Sequence, residues 1–86
     1  MILHGAVIKE QGVTFAIVSV KPAITQYTIK AVEYRRQLAA FFPYMPIILM
    51  SQDSLGEPHY FGRKDIVDFL KTIRLEQIPW KKYHLV

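Results

Sequence analysis

Two runs of the chain are apolar at odd and even positions alike, and they restrict what it can become more than anything else in it. Val13 to Val20 reads VTFAIVSV, with only Thr14 and Ser19 polar, and Ile47 to Met50 reads IILM. A strand points successive side chains to opposite faces, so strands of this composition must be covered on both sides, by helices or by a partner. The 86 residues suffice for one core and no second one. Residues 1–86 therefore form a single domain built around two interior strands, with residues 74–86 as a C-terminal extension.

Ile2 to Ile8 is β-branched and leads through Lys9-Glu10-Gln11-Gly12 into the first interior run. Gly12 can take the positive φ of a tight turn, so these two segments read as a hairpin. Lys21-Pro22 ends the strand. From Thr25 to Phe42, Tyr27, Ala31, Tyr34, Leu38 and Phe41 recur at spacings of four and three, with Gln26, Lys30, Glu33 and Gln37 opposite. That is the period of an amphipathic helix.

Phe42-Pro43-Tyr44-Met45-Pro46 terminates this helix ahead of the second interior run. Asp53-Ser54-Leu55-Gly56 has the residue types of a type I turn, and Glu57 to Phe61 alternates as its return strand, with Pro58 marking a sheet edge. Gly62 to Ile73 reads as a second helix with Ile66, Phe69, Leu70 and Ile73 on one face. The tail from Arg74 has no regular period. Trp80 is expected to tie it down as coil or a short strand, because large apolar groups are costly to leave in water.

The order is β-β-α-β-β-α, an α+β fold with a four-stranded mixed sheet and two helices packed mainly on one face. The first helix is long enough for a right-handed crossover that makes the interior strands parallel. Two helices on one face leave the other bare. This predicts self-association through the uncovered face of the sheet.

The stretch Met45 to Leu70 runs Met45-Pro46, apolar strand, glycine-containing turn, antiparallel return strand, Gly62 and closing helix, and in this it resembles the C-terminal half of thioredoxin-like proteins. The resemblance implies that architecture and a cis peptide bond before Pro46. It carries no activity across, because the chain has no cysteine. Thiol–disulfide exchange, disulfide staples and thiolate metal sites are all excluded.

A net charge of +4 permits nucleic acid, anionic lipid or acidic proteins as partners without demanding any. No run approaches the roughly 18 apolar residues of a membrane span. Met1 leads into an apolar segment with neither preceding basic residues nor a small-residue cleavage site, so a cytoplasmic protein without a signal peptide is expected. Gly62, Arg63 and Lys64 combine cations with a helix start, a candidate anion site; a plain strand-to-helix turn explains them too. Trp80, Lys81, Lys82 and Tyr83, with His84 beyond, interleave aromatics with charge, either to stack bases and pair phosphates, to dock on an acidic partner, or simply to cover the sheet. His4, His59 and His84 are far apart in sequence and lack metal-ligand spacing. Asp53, Glu57 and His59 could supply an acid–base pair, although turn and edge-strand roles account for them. Ser51 and Ser54 lack a nucleophile-elbow context. No catalytic residue, metal or cofactor is assigned. The expectation is a small non-catalytic binding domain that forms a homo-oligomer or meets a protein partner; the alternative is a basic nucleic-acid or phosphate-binding module.

Overall fold

Ile2–Glu10 (β1) and Val13–Ser19 (β2) form the expected hairpin in the computed structural model, which describes residues 2–85. Met1 and Val86, the outer ends of the predicted domain and extension, lie outside the described residues. Gln11 and Gly12 join the strands with φ of 52° and 78°, a two-residue turn positive at both positions. The chain then forms Pro22–Gln26 (α1) and Thr28–Leu38 (α2) before Ile47–Gln52 (β3). Pro58–Phe61 (β4), Lys64–Leu70 (α3), a 3-10 turn over Leu75–Gln77 and Lys81–His84 (β5) complete it.

The sheet has five strands in the order β4-β3-β2-β1-β5. Only β2 and β3 are parallel; β1–β2, β1–β5 and β3–β4 are antiparallel. The predicted α+β class and mixed sheet hold. The predicted count of four strands and two helices does not, for two physical reasons. The tail adds β5 to the edge of β1, where a strand with one inward side chain shows no apolar alternation. The predicted Thr25–Phe42 helix starts earlier, with Pro22 in its first turn, and breaks at Tyr27, which is extended at φ −121° and ψ 122°. Ile24, Thr25, Thr28 and Ile29 flank the break, and β-branched side chains weaken a helix there. Past Leu38 the chain turns, so Phe42 rather than Phe41 is the buried ring.

The sheet is also covered differently from the expectation of two helices on one face. Ala16, Val18, Ile47 and Leu49 pack with Ala31 and Leu38 of α2. Their neighbours in the strands, Phe15, Ile17, Ile48 and Met50, pack with Ile66 and Leu70 of α3 and with Ile78, and Trp80 lies against the same cluster. The helices therefore lie on opposite faces, and the interior strands are covered on both. The bare sheet face expected to drive self-association is absent among the described residues, since helical period shows which side of a helix is buried but not which face of the sheet it meets.

The peptide bond before Pro46 is trans, as are the others described, so the cis bond implied by the thioredoxin-like resemblance is not found. Gly62 is where the chain must turn from β4 into α3 against the sheet. Its φ is 154°, and a Cβ there would strike Ile48 Cδ1 and lie 3.2 Å from the Ile47 carbonyl oxygen. Gly62→Ala is expected to lower stability by about 2 to 4 kcal/mol in chemical denaturation, with part of the loss recovered on adding Ile48→Val, which removes the blocking methyl. Gln11→Asn should raise stability by about 0.5 kcal/mol, because Asn tolerates the left-handed region better than Gln.

Candidate functional site

Because β2 and β3 run parallel, their carboxyl ends lie at the same end of the sheet, and the chain leaves β2 there to begin α1. Clefts in sheets of this kind form outside those ends. Here α1, the end of β3 and β4 enclose a cleft of about 410 Å³ whose lining includes Thr25, Gln26, Ser51, Asp53, His59 and Phe61. A depression of about 490 Å³ beside Leu3, Val20, Ile24 and Tyr34 is larger, but no side-chain hydrogen bond lies within it among the described residues.

Alternation along β3 puts Ser51 on the same face as Leu49, under α1. Ser51 is 2% exposed, and its Oγ lies 2.7 Å from Thr25 Oγ1. Thr25 donates to the Pro22 carbonyl at 3.2 Å, so Ser51 is the donor to Thr25. Leaving that hydroxyl buried and unpaired costs about 1 to 3 kcal/mol, which makes the pair a fixed feature of the cleft.

Asp53 organises the opposite wall. Its Oδ1 accepts from the Leu55 and Glu57 amides at 2.9 and 3.0 Å, and Gly56 N–H donates to the Asp53 carbonyl at 2.9 Å. This is the predicted turn, with Gly56 at φ 81°. Oδ2 accepts from His59 Nε2 at 2.9 Å. The His59 hydrogen bond, then that from the Glu57 amide, holds the Asp53 carboxyl below the ordinary aspartate range. With Nε2 donating, the neutral ring presents Nδ1 as an acceptor. Phe61 forms an apolar wall; the Arg35 guanidinium lies 5.7 Å from its ring centroid while Arg35 Nε donates to the Ile47 carbonyl at 2.9 Å.

The other sequence candidates are distributed differently. Arg63 makes two hydrogen bonds to Asp65, at 2.8 and 2.9 Å, and Lys64 makes one to Asp68 at 2.7 Å. These carboxylates raise the pKa of Arg63 and of Lys64, and Arg63 lowers that of Asp65. Trp80 donates its indole N–H to the Leu75 carbonyl at 3.1 Å, and Tyr83 meets Phe42 edge-on with ring centroids 5.4 Å apart. Lys81 and Lys82, adjacent in β5 opposite Gly5 and His4, point to opposite faces, so the two lysines do not share one surface; Trp80, Lys81 and Tyr83 line a shallow depression with Val7 and Pro79. The register brings His84 and His4 to neighbouring strands, whereas His59 lies on β4 at the other edge. No group of three or more His, Asp or Glu side chains fit for a metal occurs among the described residues. The Asp53–His59 pair forms, and Glu57 contributes its backbone to the turn.

Thr25 and Gln26 had no signal in the sequence as site residues. Thr25 is 26 positions from Ser51, and only the crossover brings the two together. Set against protein families, curated proteins and solved structures, the chain matches none of them. Among the described residues no helix is long and apolar enough to cross a membrane.

Because the Asp53 carboxyl is held below its ordinary range, its favourable contribution is present above the unfolded-state pKa and is lost as pH falls through the lower folded value. In an NMR titration the Leu55 and Glu57 amide resonances should move together in acid, with a midpoint below that of an unperturbed aspartate. Asp53→Asn should abolish the transition.

Proposed function

We propose that this chain is a small non-catalytic binding domain whose recognition site is the cleft between α1 and the β3–β4 hairpin. Its ligand is a compact uncharged molecule rich in hydroxyl or carboxamide groups. The observation behind this is the meeting of two hydrogen-bonded pairs, Thr25–Ser51 and Asp53–His59, in one opening at the carboxyl end of the parallel strands. A volume of about 410 Å³ falls in the range of small-molecule sites, roughly 300 to 1,000 Å³. The Gln26 amide and His59 Nδ1 offer both donors and acceptors, and Phe61 offers an apolar surface. The Asp53 carboxylate disfavours an anionic occupant.

Binding fits the cleft better than catalysis. A serine nucleophile needs access and a base, whereas Ser51 is 2% exposed with its proton committed to Thr25. Asp53 is accounted for by the turn that it closes. A phosphate or nucleic-acid role for Gly62, Arg63 and Lys64, or for Trp80 to Tyr83, has less support, because those cations have carboxylate partners or diverge and those rings are packed. A cytoplasmic setting belongs to this reading, since a core without cysteine needs no oxidative folding.

A screen of neutral polyol and carboxamide fragments, followed by amide chemical-shift mapping, tests the proposal. Hits are expected to shift Thr25, Gln26, Ser51 and His59, and His59→Ala or Thr25→Val should weaken them about tenfold, the loss of one or two net hydrogen bonds. Hits that cluster elsewhere, bind both variants unchanged or are turned over chemically would remove it.

A further inference from the structure

α2 carries apolar side chains on both of its sides. Ala31 and Leu38 are buried against the sheet, yet Ile29 and Val32 are 76% and 43% exposed. At about 100° per residue, Ile29, Val32, Glu33 and Arg36 fall on one exposed strip, whose flank at Val32 and Arg36 borders Met45, Pro46 and Ile47, and the exposed Ala40 lies in the turn just beyond α2. A helix covered on one side only is ordinarily polar on the other. The strip also holds one acid and one base three residues apart, Glu33 and Arg36, neither in an ion pair among the described residues. α3 does the reverse, closing Lys64–Asp68 within itself and pairing Asp65 with Arg63 just before it.

We infer that this strip is the contact surface for a second copy of the chain, with two α2 helices packed antiparallel about a twofold axis. In such a contact, residue i meets j and j meets i. With the axis between Tyr34 and Arg35, Glu33 meets the partner's Arg36 and Arg36 meets the partner's Glu33. Ile29 then lies toward the partner's turn at Ala39-Ala40, where small side chains permit the helix separation of about 8 to 10 Å that close packing needs. The charge pattern selects this occupant. A generally acidic partner would confront Glu33 in the middle of the strip and a basic one would confront Arg36, whereas a surface with one of each is its own complement.

Sedimentation velocity across a concentration series from low to high micromolar, with the whole chain and its variants, tests this. The unaltered chain should shift toward twice its mass. Glu33→Arg alone and Arg36→Glu alone, both exposed and checked for folding by circular dichroism, should each weaken association at least about tenfold, since each sets like charges against one another twice. The double variant restores complementarity and should regain the dimer. Ile29→Ser should weaken it with no dependence on salt. A chain that stays monomeric throughout, or a dimer in which single and double charge variants behave alike, would overturn the inference.

Discussion

The parallel pairing of β2 with β3 is the constraint from which the other features descend. Parallel neighbours cannot be joined by a hairpin, so the chain must cross over one face of the sheet, and α1 and α2 do so. The crossover covers only alternate residues. Phe15, Ile17, Ile48 and Met50 point the other way, and burying each contributes about 1.5 to 3 kcal/mol. Taken together that approaches the whole net stability of a small domain, about 5 to 15 kcal/mol. α3, the Leu75–Gln77 turn and Trp80 are accordingly integral to the fold. Ile78 and Trp80 cover one face of the core, and Tyr83 packs on the other.

The same pairing creates the cleft. Since β2 and β3 end together, the start of α1 and the β3–β4 turn converge, and each brings polar groups to a position where the backbone has just left the sheet. Ser51 and Asp53 lie two residues apart but have separate tasks. Ser51 is held inward under α1 by Thr25, while Asp53 spends one oxygen on the turn and the other on His59. The pocket walls are thus fixed by bonds that exist without any ligand, which lowers the ordering cost of recognition.

Much of this was legible in the residues. The hairpin at Gln11-Gly12, the turn from Asp53 to Gly56 and the two interior strands follow from local chemistry, which needs only neighbours in sequence. What escaped depends on direction in space. Nothing in Ile66, Phe69 and Leu70 says which side of the sheet they meet; that is decided by how Gly62 turns the chain out of β4, at a φ of 154° and with no room for a Cβ beside Ile48. Lys81–His84 hides as a strand because only Tyr83 faces inward there. Thr25 carries no signal as a site residue because its partner lies 26 positions away on β3, and the two tail lysines read as one cluster in sequence although adjacent residues of a strand diverge.

Both edges of the sheet are poor templates for strand addition. β4 begins at Pro58, which has no amide hydrogen to donate, and β5 opens with Lys81-Lys82, which makes a neighbouring copy of that edge repulsive. With the interior strands covered on both faces as well, the apolar surplus of a chain that is 51% hydrophobic emerges elsewhere, at Ile2 and Val7 of β1 among other places. Tyr44 and Leu55 take up part of it on loops, singly, as surface residues commonly do. Ile29 and Val32 differ because a helix holds them at a fixed spacing beside one acid and one base. An ordered surface of that kind can specify a partner, whereas exposed side chains on separate loops only add area.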